Sequence, residues 1–201
     1  DEVLPQTMLT HQGGEHQHQR DDLPPVTSSE ELAALSPHFL RNGVLTLGNT
    51  AHAADGAALV LLASAERARN LGLTPLAFLR GSALCSLAPE QAGLAASKAA
   101  QTVLSKARLA AAKLGQVEVE EFSALEALAL ARELALPDTS IVNPNGGALA
   151  LGHWGGAAGA RLVVSLVHSM RVRGLRFGLA AQNSLGGTGG ALLLENAEIS
   201  A

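Results

Sequence analysis

Cysteine is almost absent from this sequence: Cys85 stands alone among 201 residues. One thiol excludes an internal disulfide framework and a cysteine zinc cluster, and it is compatible with a reducing compartment. Aromatic residues make up 2% of the chain, with a single tryptophan and no tyrosine. The core therefore has to be assembled from Ala, Leu and Val among many small residues. Charge of one sign is also lacking, since 14 basic and 18 acidic residues leave a net charge of −4, and no stripe of Lys or Arg alternates with aromatics. That excludes the usual footprint of a nucleic-acid-binding protein. No apolar run reaches the length of a membrane span, because Glu66, Arg67 and Arg69 interrupt the longest candidate. A secretory n-region and h-region are missing, and the chain opens on Asp1 rather than methionine. The expectation is a cytoplasmic protein, trimmed or part of something longer, folded as one domain or a pair of small ones.

What is present begins with a polar segment, His11-Gln-Gly-Gly-Glu-His-Gln-His-Gln-Arg20. Its histidines His11, His16 and His18 could meet a metal. A solvated loop is the preferred reading, because such tracts bind metal without a structured shell of supporting hydrogen bonds. Ser28 and Glu31 have the capping-box spacing ahead of Leu32 and Leu35, which predicts a short helix ending near Pro37. Gly43 to Gly48 reads as a strand, and Asp55 to Asn70 as a helix with Arg67 and Arg69 late in it and Gly72 as its stop. There follow a strand over 75–84, a helix over 94–107, an alternating apolar and charged strand over 117–121, and a helix over 124–136 that ends before Pro137. A long helix from about Gly156 to Arg173 precedes two strands, 176–181 and 190–195, joined through the glycine cluster Gly186 to Gly190, tight enough for a hairpin. This order predicts an α/β fold: a mixed, mostly parallel sheet with helices packed on it and a C-terminal antiparallel hairpin as an edge pair.

The densest pattern is Asn143-Pro-Asn-Gly-Gly-Ala-Leu-Ala-Leu-Gly-His-Trp-Gly-Gly-Ala-Ala-Gly159, in which six glycines surround His153, the only titrating side chain of the stretch. Glycines at that density permit positive φ, close approach to a ligand and outward-pointing N–H groups. A histidine held there points to acyl or phosphate chemistry. The competing reading is a ring that satisfies backbone groups of the glycine loop. Cys85, inside a strand pattern and without a neighbouring charge to activate it, reads as a small buried hydrophobe.

The motif Asn143-x-Asn145-Gly-Gly-Ala-x-Ala-x-Gly152-His153-x-x-Gly156-Ala-x-Gly159 resembles the C-terminal signature of the thiolases, enzymes that make or cleave 3-oxoacyl-CoA with coenzyme A. Asp1-Glu-Val-Leu-Pro5, Gly48-Asn49, Asp55-Gly-Ala57, and Gly178-Leu-Ala-Ala181 leading into Gly186, Gly187 and Gly189 follow in the family's order. The resemblance implies a thiolase-like fold, with 1–40 a partial loop region and short helix and 41–201 the thiolase C-terminal domain. It implies that the family's N-terminal half, which carries the cysteine that becomes acylated, is absent. His153 would then activate a cysteine supplied from elsewhere and donate a hydrogen bond to the thioester oxygen.

Several positions depart from the family. Trp154 stands where a proline follows the signature histidine, and would either cover an acyl pocket or fill the space left by lost chemistry. Asn183 stands where a second cysteine acts as acid and base at the substrate α-carbon. A carboxamide cannot take up that proton, although its N–H can donate to a carbonyl oxygen. This implies aldol-type cleavage or acyl transfer without α-deprotonation. The N–H groups around Leu185 and Gly186 could form an oxyanion hole. Glu120-Glu-Phe-Ser-Ala124 occupies the region of an Asn-Glu-Ala-Phe or His-Glu-Ala-Phe segment whose first residue helps hold a water in an oxyanion hole. Ala51, beside His52, replaces a serine that lies near the pantetheine of coenzyme A.

His153 and Asn183 are thus the expected catalytic residues, and Ala51, His52, Asn145, Gly152, Trp154, Leu185 and Gly186 the expected substrate-binding ones. Coenzyme A enters as a substrate, with no metal or other cofactor. The implied function is a thiolase-like acyltransferase on acyl-CoA or 3-oxoacyl-CoA thioesters, working with its own N-terminal half or a thiolase-like partner subunit in a homo- or hetero-oligomer. The alternative is a non-catalytic thiolase-like subunit that binds acyl-CoA or completes a dimer interface.

Overall fold

A computed structural model describes residues 3–20 and 28–199. Asp1 and Glu2 of the first thiolase-like segment, and 21–27 after the polar tract, lie outside the described residues. The chain divides into two compact units, Asp1–Ala34 and Leu35–Ala201.

In the first unit, the polar segment expected as a solvated loop contributes β2 (Glu15–His18) to an antiparallel hairpin with β1 (Gln6–Leu9). Its turn is closed by Thr10, whose hydroxyl and backbone both bond to Gly14. The strands are exposed, so no apolar alternation marks them in the sequence. Helix α1 (Ser29–Ala34) follows, with Ser28 and Glu31 exchanging both capping-box hydrogen bonds, at 2.9 and 3.2 Å.

Of two elements expected at the start of the second unit, one does not form and the other forms only in part. Gly43–Gly48 is a set of turns, in which the Asn49 side chain accepts from the Thr46 N–H and donates to the Val44 carbonyl, at 2.8 and 2.9 Å. Of the helix expected over 55–70, only α2 (Ala65–Asn70) exists, started by Ser64 as its N-cap. Residues 57–64 carry neither helix nor strand pairing, because Leu59 to Leu62 form a continuous apolar run rather than a stripe, and all four are exposed.

The rest of the unit is one sheet covered on both faces. Its strands are β3 (Ala77–Ser86), β4 (Gln116–Val119), β5 (Phe177–Ser184) and β6 (Thr188–Asn196), in the order β3-β6-β5-β4. The β4–β5 ladder is parallel, and β6 runs antiparallel to both β5 and β3. The fold is therefore α/β with a mixed sheet and a C-terminal antiparallel hairpin, as expected. The balance differs: two of the three ladders are antiparallel, because β6 inserts between β3 and β5 instead of lying at an edge.

On one face, α3 (Ala95–Ala107) and α4 (Ala124–Glu133) enclose the main core, built from Val103, Leu104, Val117, Val119, Leu130, Leu179, Leu193 and a set of alanines. Cys85 packs half-buried against this core, as a small hydrophobe would. On the other face, α6 (Ala158–Val172) lies over β4 and β5 and buries Leu162, Leu166 and Met170 against Ala180 and Leu194. A one-turn helix, α5 (Ala148–Leu151), precedes it. The free edge of β4 is closed by Asn143, whose N–H donates to the Val117 carbonyl. Its carboxamide also accepts from the Val119 N–H at 2.8 Å and donates to the Val119 carbonyl at 3.0 Å. One buried side chain thus stands in for the next strand.

Candidate active site

Strand β4 positions the site. Its pleat sends Val117 and Val119 into the main core and turns Gln116 and Glu118 toward α6. Ser169 of α6 donates to Gln116 at 2.7 Å, and Gln116 donates to Glu118 at 2.7 Å. Arg161, also on α6, lies 3.7 Å from Glu118 and 3.4 Å from Glu120, the residue just past the strand. The other oxygen of Glu120 is 2.8 Å from His153 Nδ1. A line of buried polar groups therefore ends on a histidine whose side chain is 30% exposed. Burial pushes the Glu118 carboxyl up to about 7, against the hydrogen bond from Gln116 and the charge of Arg161. Burial also raises Glu121, against hydrogen bonds from Asn143 and the Leu149 N–H.

His153 is held on three sides. Its N–H donates to the His52 carbonyl at 2.7 Å, and its own carbonyl accepts from the Ala54 N–H at 3.1 Å. This pairing needs Gly152 at φ +81°, where a Cβ would run into Ala54. The Phe122 ring meets the imidazole edge-on, with centroids 5.7 Å apart. The ring nitrogen thus engages Glu120, and not backbone groups of the glycine loop.

Of the positions singled out by sequence, Ala51, His52, Gly152, His153 and Trp154 come together. The Ala51 N–H donates to the Phe122 carbonyl at 2.9 Å, which ties the 50–54 segment alongside the site. The Trp154 indole donates to the Leu151 carbonyl at 3.2 Å, and its ring lies so close over Gly56 that no Cβ would fit there.

The remaining positions make contacts of their own. Asn145 accepts from Arg173 at 2.9 Å, at the C-terminal end of α6, whereas Arg161 stands in the first turns of that helix. Asn183 accepts from the Ala96 N–H at 2.7 Å and donates to the Gly93 carbonyl at 3.1 Å. Helix α3 has no side-chain cap of its own, so Asn183 of β5 supplies one across the sheet. Leu185 is 93% exposed at the hairpin tip, beside Gly186. There Gly187, at φ +88°, accepts from the Leu87 N–H at 2.8 Å.

Sequence reasoning missed Glu120 as the partner of the histidine and Arg161 as the partner of Glu120. The traces were present: Val117-Glu-Val-Glu120 places two glutamates on one strand face, and Arg161 falls on the buried stripe of α6 with Ala158, Leu162, Leu166 and Ser169. An open groove of about 580 Å³ lies over β6, between α6 and β3, lined by residues such as Ser82, Leu84, Leu162, Gln182 and Leu192. None of its lining residues titrates, so the groove offers no side chain for acid–base chemistry.

The family model described as "Thiolase, C-terminal domain" matches residues 73–196, and "Thiolase, N-terminal domain" matches residues 1–66. Both domains are thus represented, although the resemblance alone placed the N-terminal half outside the chain. The acetyl-CoA acetyltransferase of Chromobacterium violaceum is 45% identical over 84% of this chain and 43% of its own length. The 3-oxoadipyl-CoA/3-oxo-5,6-dehydrosuberyl-CoA thiolase of Escherichia coli K12 is 38% identical over 97% of this chain and 49% of its own length. Among solved structures, the Bacillus anthracis acetyl-CoA acetyltransferase superposes with a TM-score of 0.87 at 35% identity, covering 96% of this chain and 49% of that one. The chain spans about half the length of the curated relatives it matches. With a fold that superposes on these proteins and both domain models matched, the chain belongs to the thiolase family.

Proposed function

We propose that this chain forms part of an acyltransferase acting on acyl-CoA or 3-oxoacyl-CoA thioesters, in which His153 activates a cysteine thiol that the chain itself does not supply. The observation that carries this reading is the imidazole of His153, oriented by Glu120 and by its own backbone yet left partly exposed. Cys85 is no substitute for the missing thiol, because it sits in β3 against the core, opposite Gly189. The cysteine is then provided by further sequence of the same gene product or by a thiolase-like partner subunit. Two exposed surfaces support an association of that kind: the apolar run Leu59 to Leu62, and the uncharged groove over β6. Ala51, His52 and Trp154 border the histidine and are assigned to acyl-CoA. Asn183 keeps at most one amide N–H for a substrate carbonyl, which favours acyl transfer without α-deprotonation.

The test is incubation of the complete assembly containing this chain with an acyl-CoA, followed by mass spectrometry for an acyl adduct. The expected result is an adduct on a cysteine outside this chain, lost or strongly slowed in His153→Ala. No adduct, together with no rate loss in His153→Ala, overturns the catalytic reading. That outcome favours the second reading, a non-catalytic thiolase-like subunit, which the engagement of the Asn183 amide at the start of α3 supports.

A further inference from the structure

We propose that Glu120 is a positioning residue that fixes His153 in one tautomer, with the proton on Nδ1 and the lone pair of Nε2 offered to the nucleophile. The argument begins with the surroundings of the carboxylate. Glu120 is 2% exposed, and its two oxygens are divided between Arg161 at 3.4 Å and His153 Nδ1 at 2.8 Å. A carboxylate facing a guanidinium only accepts hydrogen bonds, so the nitrogen that meets it has to be the donor. The ring cannot turn over to present Nε2 instead without giving up this contact, and the backbone on either side is paired with His52 and Ala54. Phe122 occupies the ring edge from another direction.

The consequence is directional. A neutral His153 meets the substrate side with an acceptor, so it takes a proton before it can give one. Resting on the acyltransferase reading above, the step runs as follows. The S–H proton of the cysteine passes to Nε2, the sulfur forms a bond to the thioester carbonyl carbon, and the bond from that carbon to the sulfur of coenzyme A breaks. The departing thiolate then takes the proton from Nε2. The acyl group has moved from one sulfur to another, nothing is oxidised or reduced, and His153 is regenerated. Hydrogen bonding from the imidazole to a developing oxyanion becomes available only in the protonated interval of that cycle.

Glu120→Gln separates this role from a packing role, because it keeps the side-chain shape. Arg161 draws the carboxamide oxygen, which leaves the amide N–H facing His153 Nδ1 and turns that nitrogen into an acceptor. In nitrogen-detected NMR of the full chain labelled at histidine, with His153 identified by the signals lost in His153→Gln, the native protein is expected to show a protonated Nδ1 and an unprotonated Nε2. Glu120→Gln is expected to show the reverse. In the complete assembly, the same substitution is expected to slow acylation about 100-fold, with KM for the acyl-CoA unchanged. If the native tautomer carries its proton on Nε2, or if Glu120→Gln leaves the tautomer as it was, the proposal is overturned, whatever the fate of the acyltransferase reading. If no acyl adduct forms in any variant, that reading fails while the NMR result still decides the role of Glu120. Should Glu120→Gln fail to fold, Glu120→Asp takes its place, with partial loss of the Nδ1 proton as the expected result and an unchanged tautomer as the contrary one.

Discussion

At the scale of single residues, the buried charges decide the most. Glu118 and Arg161 face each other at 3.7 Å, and among the described residues the facing atoms of both have no hydrogen-bond partner. The Glu118 carboxyl, pushed up from 4.5 to about 7 by burial, binds its proton more tightly in the folded chain than in the unfolded one. Its contribution to stability is therefore full below about 4.5 and is lost as pH rises through about 7. Relative to Glu118→Gln, the native chain is expected to lose about 3 kcal/mol across that window, read from urea denaturation at stepped pH. A flat difference between the two proteins contradicts it. Asn183 makes a second case. Asn183→Ala is expected to cost about 1 kcal/mol through the uncapped start of α3, while Asn183→Asp, which keeps the acceptor for the Ala96 N–H, costs less. Gly56→Ala drives the sole tryptophan off its seat, and is expected to cost about 1 to 3 kcal/mol and to shift Trp154 fluorescence toward that of an exposed indole.

At the scale of elements, the parts that were legible in the sequence are those whose partners lie in the core. Helices α3, α4 and α6 and strands β3, β5 and β6 are legible within a few residues because each turns an apolar face into a core and leaves a period. Strand β4, buried on both faces, is legible because its second face is polar. The strand expected at Gly43–Gly48 and the first part of the helix expected over 55–70 failed for the same reason in reverse. Both stretches are largely exposed, so their apolar residues report no local partner. The closure of β4 was not legible either, since it depends on Asn143 at φ 45° placing a carboxamide against Val119. Asn143→Ala strands the Val119 N–H and carbonyl together, and is expected to cost about 2 to 4 kcal/mol in chemical denaturation. A loss below about 0.5 kcal/mol shows that water repairs the edge.

At the scale of the whole molecule, two surfaces lack the polar cover expected of a finished exterior. Leu59, Leu61 and Leu62 are 87%, 76% and 79% exposed, and Leu84 faces solvent beside the groove over β6. These residues add little to the stability of the isolated chain, since they are already in water. The double substitution Leu59→Ser, Leu61→Ser is accordingly expected to leave the denaturation midpoint nearly unchanged and to weaken the proposed association at least about tenfold, an effect of about 1.4 kcal/mol, in sedimentation of the complete assembly. Equal loss of stability and assembly assigns the run to folding of this chain instead.

By itself, the sequence determined the family, through the spacing of Asn143, Gly152, His153 and Gly159, and the identity of most core elements, through their periodicity. It also singled out His153 as the candidate for chemistry, the only titrating group of a glycine-rich stretch. Tertiary structure decided what that histidine touches. Glu120 lies 33 positions away along the chain, and Asn183 lies 87 positions from the helix end it caps. Local patterns report which face of an element is buried, not which other element covers it. The same limit hid the place of β6 in the sheet: strand order follows from how α3 and α6 pack on opposite faces, and no residue of β6 records that choice alone.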